Sequence, residues 1–172
     1  MFPTESLATA MTVRRTLRRR RRRMWAPRPN LITIVRAREV ARERFTGDEG
    51  VELVKYDLAE PLPALGRFDA VVSSMAIHHL EHERKRSLYC EVFDLLEPGG
   101  VFANFEHVAS ATRRLHLAFF AAIDEPLEHE DPSDRLLDVE SQLGWLRGVG
   151  FDDVDCYWKW LEMALLVGVK PA

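Results

Sequence analysis

Phe68-Asp69-Ala70-Val71-Val72-Ser73-Ser74-Met75-Ala76-Ile77-His78-His79-Leu80 is the stretch that decides the fold. From Phe68 to Ser74 it is a near-continuous apolar run broken only by Asp69, then by two small hydroxyl residues. A parallel strand buried on both faces reads this way, so a strand is expected over Phe68 to Ser74. Downstream, His82 to Leu96 has helical spacing, with Leu88, Val92 and Leu95 or Leu96 on one stripe. Glu97-Pro98-Gly99-Gly100 punctuates it, and Val101 to Val108 reads as the next strand. Strand, helix, strand in this order builds a crossover unit of an α/β sheet.

The pattern extends both ways. Upstream, Val51-Glu52-Leu53-Val54-Lys55-Tyr56 alternates like a strand and ends on Asp57. Downstream come a helix over Ala111 to Ile123, an acidic loop from Asp124 to Asp134, and a helix from Val139 stopped near Gly148 and Gly150. Phe151 to Trp158 and Met163 to Val169 read as two strands, and their short link predicts an antiparallel hairpin. The expected fold class is α/β, a Rossmann-like, mostly parallel sheet closed by a C-terminal antiparallel hairpin.

The front of the chain is different in kind. Residues 1–50 hold 13 arginines, no lysine and 5 acidic residues, whereas residues 51–172 hold 11 basic and 22 acidic ones. Arg18 to Arg23 is an unbroken run of like charges that resists packing, so residues 1–30 read as a disordered arm. Leu31 to Val35 reads as a short strand and Arg36 to Phe45 as a helix stopped by Gly47. Lysine-free arginine runs are common in out-of-frame reading of GC-rich genes, so a frame-shifted or mis-started front is the expectation for residues 1–50. The arm could neutralise nucleic-acid phosphates, but only Trp25 offers an interleaved stacking surface.

Composition excludes several classes. The longest apolar runs are strand-length, so no membrane span is expected, and no apolar signal segment follows the first basic residues. Cys90 and Cys156 lie far apart without metal-ligand spacing and read as reduced structural thiols of a cytoplasmic protein.

Three of these segments together resemble small, single-domain class I S-adenosylmethionine-dependent methyltransferases. Lys55-Tyr56-Asp57-Leu58 is similar to the family's acidic strand end, Phe68 to Leu80 to its fourth strand and following loop, and Leu95-Leu96-Glu97-Pro98-Gly99-Gly100-Val101-Phe102 to its helix-to-fifth-strand turn. The resemblance implies S-adenosyl-L-methionine as cofactor, bound by Asp57, Leu58, Ser73, Ser74 and Met75, with adenine near Asp57 and Leu58 and the sulfonium end facing the loop from Ser74 to His79. It implies an acceptor beside His78, His79 and Glu106, where an imidazole could act as base. The bland alternative packs one histidine under the loop and sets the other at the following helix. His107 shares the strand end with Glu106; with no third ligand evident, no metal is expected.

The resemblance has a gap. No glycine occurs between Met1 and Thr46, so the family's glycine-rich cofactor loop is absent from that stretch, and Leu31 to Val35 is followed by Arg36 where an acid would hold the ribose. Residues 31–172 therefore read as an incomplete class I methyltransferase domain. Its exposed sheet edge favours a homodimer. The implied activity is methyl transfer to a small molecule or a tRNA base. The second alternative is a non-catalytic remnant or binding module with a basic RNA-binding arm. Leu136 to Lys170 is also similar to the ends of enzymes resembling tRNA wobble-uridine carboxymethyltransferases. Trp145, Trp158, Trp160 and Tyr157 are expected in the core.

Overall fold

The computed structural model describes residues 43–48, 50–52, 54 and 56–172. The arginine-rich arm, the strand expected at Leu31 to Val35 and most of the helix expected after it lie outside the described residues. From there the order of elements is β1 (Phe68–Ser74), a one-turn 3-10 helix (Ile77–His79), α1 (His82–Leu95), β2 (Leu96–His107), α2 (Arg113–Ala122), a second 3-10 turn (Leu127–His129), α3 (Val139–Val149), β3 (Asp152–Trp160) and β4 (Met163–Val169). Among the described residues the four strands form one mixed sheet, ordered β1-β2-β4-β3. β1 and β2 run parallel, and the other two pairings are antiparallel. The α/β class and the closing hairpin are as the sequence predicts.

Two boundaries move. Val51, Glu52, Val54 and Tyr56 are not in a ladder, and only Asp57 makes an isolated bridge; Leu53 and Lys55 lie outside the described residues. Alternation describes a surface that suits a sheet, but a strand also needs a neighbour to pair with. β2 starts at Leu96 rather than Val101, because Glu97-Pro98-Gly99-Gly100 runs on as an irregular part of the strand. The register jumps there, with Phe68 opposite Leu96 and Ala70 opposite Val101. Gly99 takes φ +77, and its N–H donates to the Lys170 carbonyl at 2.9 Å while Lys170 N–H donates to Gly100 at 2.8 Å.

Gly100 shows why the second glycine is needed. A Cβ there would lie 2.8 Å from the Glu97 carbonyl oxygen and 3.2 Å from that of Asp69, both fixed backbone atoms. Gly100→Ala is expected to lower stability by about 1–3 kcal/mol, the usual cost of forcing an atom into a packed site. Urea unfolding would check this, and an unchanged midpoint would show that the bulge yields freely.

One face of the sheet is fully buried. Val71, Ser73, Phe102, Asn104, Glu106, Ala164 and Leu166 share it, as the pleat and register require. α1 turns Leu88, Tyr89 and Val92 toward the core, and Lys85 lies buried on the same stripe, its ammonium donating to the Arg135 carbonyl. Burial pushes the Lys85 pKa down to about 8. The Tyr89 hydroxyl donates to Gln142 on α3 at 2.8 Å, tying the two helices. Asp138 caps α3 through the Ser141 N–H, and Gly150 ends it in the left-handed conformation at φ 113.

The aromatic residues divide. Trp145 packs edge-on to Tyr89 at 6.5 Å, but Tyr157, Trp158 and Trp160 are exposed. They lie on β3, an edge of the described sheet, where Trp158 leans on Phe105 at 5.9 Å and Trp160 on Phe119 at 6.2 Å while each keeps a large face open. Both cysteines are free thiols, and Cys90 is exposed on α1 rather than structural. Among the described residues no helix is long and apolar enough to cross a membrane.

Candidate functional site

Open α/β sheets hold ligands beyond the carboxyl ends of their parallel strands. Here those ends are Ser74 on β1 and His107 on β2. Met75 follows with φ 51, a left-handed conformation uncommon for a side chain of its size, held by its N–H donating to the Phe105 carbonyl at 2.8 Å. That turn delivers the 3-10 segment Ile77–His79 directly over the end of β2.

Glu106 is the anchor. It is 1 % exposed, and its two oxygens take three donors. Ile77 N–H reaches Oε2 at 3.0 Å, while His107 N–H at 3.1 Å and His78 Nδ1 at 2.5 Å share Oε1. The carboxylate is thus occupied in holding His78, which leaves that ring's Nε2 clear of Glu106 and facing Asp134. Glu106 supports the site from beneath rather than facing an acceptor.

The acidic loop closes over this pair. Asp134 brings Oδ1 to 3.6 Å from His78 Nε2 and 3.2 Å from His79 Nδ1, and Oδ2 to 3.4 Å from His107 Nδ1. Its side chain is 10 % exposed, and Oδ1 makes no hydrogen bond of good geometry despite these short approaches. His79 Nδ1 meets Ser133 Oγ at 3.1 Å instead. Burial opposes the Asp134 charge, but His107 and His79 outweigh it and hold the carboxyl well below its usual range. His79 is raised mainly by Asp134, against its own burial. His107 is raised as well, burial being outweighed by Asp134 and Glu162.

From His107 the chain of alternating groups continues outward. His107 Nε2 meets Glu162 Oε2 at 2.9 Å, Glu162 Oε1 meets His116 Nδ1 at 2.9 Å, and His116 Nε2 lies 3.7 Å from the half-exposed Glu130. Carboxylates and imidazoles thus alternate from the buried site to the surface. Beside it, Leu127, Glu130, Asp131, Pro132, Asp134 and Leu136 line a cleft of about 550 Å³.

The structure therefore brings His78, His79 and Glu106 together, as position predicts. It adds Asp134, Glu162 and His116, whose only sequence signals are a run of acids and scattered histidines. The expected absence of a third metal-type ligand is corrected by Asp134, which a long-range fold contact supplies.

The remaining residues are placed separately. Asp57 Oδ1 accepts from Ala59 N–H at 2.9 Å, and the buried Leu58 gives its carbonyl to Arg84 of α1 at 2.8 Å. No contact of Asp57 Oδ2 is found among the described residues. Ser73 is buried opposite Asn104, and neither side chain has a hydrogen-bond partner among the described residues. The Tyr89 hydroxyl donates to Gln142 at 2.8 Å, and its oxygen remains able to accept from the nearby Asn104 amide. Buried polar groups are rarely left so, and water or a ligand is the usual explanation. Ser74 and Met75 are half-buried at the strand end.

The mixed sheet and its flanking helices are similar in fold to solved methyltransferases. The chain aligns with an O-methyltransferase family protein from Burkholderia thailandensis at TM-score 0.62 and 19 % identity, covering 78 % of this chain and 41 % of that one. Human N-acetylserotonin methyltransferase, solved with its S-adenosylmethionine, aligns at TM-score 0.54 and 16 % identity, covering 78 % and 38 %. Residues 32–100 match the family profile of a methyltransferase domain, in line with the resemblance read from the sequence. A carboxy-S-adenosyl-L-methionine synthase of Desulforapulum autotrophicum is 27 % identical over 123 residues, 62 % of this chain and 49 % of the relative. The chain thus spans about half the length of that relative and less of the solved ones.

Proposed function

We propose that this domain transfers a methyl group from S-adenosylmethionine to a proton-bearing small molecule, through the histidine cluster beyond β1 and β2. The observation that carries the reading is His78, set by the buried Glu106 through Nδ1, with its Nε2 facing Asp134 of the acidic loop that lines the cleft. A proton-bearing acceptor needs a base within hydrogen-bond reach, and a neutral imidazole with a fixed tautomer serves that need. His79, paired with Asp134, orients the acceptor and shields the buildup of charge.

The described residues fit the cofactor at both of its ends. Asp57 Oδ2 is available to the adenine amino group, with Leu58 beneath. Ser73, Ser74 and Met75 form the floor at the methyl end, where the unpartnered Ser73 hydroxyl and Asn104 amide lie. The bound cofactor supplies an already activated methyl group. The protein then has mainly to align the acceptor and exclude water.

Titration of the full chain with S-adenosylhomocysteine by calorimetry tests the reading. Micromolar binding is expected, weakened about tenfold by Asp57→Ala through loss of one hydrogen bond of roughly 1–1.5 kcal/mol. A flat titration by a sample that melts cooperatively would sink it.

A further inference from the structure

We infer that His78, His79 and Asp134 form a binding site for a divalent transition-metal ion, of the zinc type, at the mouth of the acidic cleft. One ligand atom from each of the three lies within 4.8 Å of the others. Two of the spacings are His78 Nε2 to Asp134 Oδ1 at 3.6 Å and His79 Nδ1 to the same oxygen at 3.2 Å. Ligands bonded to zinc at its usual lengths stand ~3.3 Å apart in a tetrahedron. Small shifts of side chains would therefore seat an ion.

Three further observations point to a cation. Asp134 Oδ1 is buried and, though 3.2 Å from His79 Nδ1 and 3.6 Å from His78 Nε2, makes no hydrogen bond of good geometry to either ring. Glu106 on His78 Nδ1 and His107 on the other oxygen of Asp134 are the outer partners that metal ligands customarily have, fixing the ring and the carboxylate from behind. The cleft lined by Glu130, Asp131 and Asp134 gives an acidic path of entry and room for a water or substrate oxygen at a fourth position. Two nitrogens and one oxygen select zinc, iron or nickel over magnesium, which prefers oxygen alone.

The site stands whether or not the chain transfers methyl groups. Where both hold, the His78 Nε2 lone pair is given to the ion. His78 would then be a ligand rather than the base, and the ion would acidify a bound acceptor hydroxyl enough for its proton to pass to solvent water.

The test is calorimetry of the full chain, stripped with a chelator, against Zn²⁺ alone, with Mg²⁺ as comparison. One Zn²⁺ per chain at micromolar or tighter Kd is expected, with no heat from Mg²⁺. His79→Gln and Asp134→Asn should each weaken binding at least tenfold, whereas His129→Gln, on an exposed pair with Glu125, should not. Circular dichroism melts confirm that each variant is folded, and His79→Gln, at a partly exposed ring, is the safer of the two. No binding by folded chain, or affinity unmoved by both substitutions, would overturn the site. Cofactor binding, measured separately with S-adenosylhomocysteine, distinguishes this failure from failure of the methyltransferase reading.

Discussion

Glu162→Leu is expected to cost the domain about 3–5 kcal/mol, the usual penalty for removing one member of a buried ionic pair. Glu162 is 0 % exposed in the tight turn between β3 and β4, where its backbone carbonyl accepts from Val108 N–H at 2.7 Å. Its two carboxylate oxygens serve His107 and His116, each at 2.9 Å. With leucine there, His107 keeps only Asp134 at 3.4 Å, and His116 keeps only the half-exposed Glu130 at 3.7 Å. A domain has ~5–15 kcal/mol in total, so the loss should be visible at once in urea.

The pH dependence separates charge from packing. Burial works against the Glu162 carboxylate, but hydrogen bonds from Ser110, His107 and His116 outweigh it and lower its pKa from 4.5. A lowered acid contributes fully above its unfolded value and loses that contribution as pH falls through the folded one. His107 is raised from 6.5, so its part is full below that value and is lost as pH climbs through the folded one. The stability gap between native chain and variant should therefore be widest between about 4.5 and 6.5 and narrow on both sides. A gap that stays level across pH would make Glu162 a packing residue only.

How much of this could be read in advance follows from the range of the interactions involved. β1 and β4 are found at the predicted residues, Phe68 to Ser74 and Met163 to Val169, because each writes itself as a near-unbroken apolar or β-branched run whose alternate residues pack into the core. The start of β2 was hidden because proline and two glycines mark a turn equally well whether or not the strand continues through it. Tyr157, Trp158 and Trp160 misled for a related reason: aromatic bulk suits either a core or an edge strand, and only topology decides. In the site, His78, His79 and Glu106 are legible because each lies at or just beyond the carboxyl end of a strand. Asp134 and Glu162 are not. Each is an ordinary acid in its own segment, made special by the loop or hairpin that folds it onto the histidines.

The second large effect belongs to Glu106. Its three donors leave no room for an amide: Ile77 N–H approaches one oxygen, and His107 N–H with His78 Nδ1 the other. In Glu106→Gln, whichever way the amide turns, its NH₂ faces an N–H group. One buried donor is then unsatisfied, at about 1–3 kcal/mol. The consequence for His78 is larger than for the fold. Without the carboxylate the ring loses the partner that fixes its tautomer, and Nε2 is no longer held as an acceptor. Loss of such a backing group costs ~10–100-fold in metal affinity or activity, although no ligand has been removed. Glu106→Gln should therefore lower Zn²⁺ affinity by that factor and lower the urea midpoint together. Glu106→Asp, which keeps the charge but shortens the reach, should recover part of the affinity. A variant that is destabilised yet binds Zn²⁺ as tightly as the native chain would confine Glu106 to a structural role, and His78 would have to be positioned by Asp134 alone.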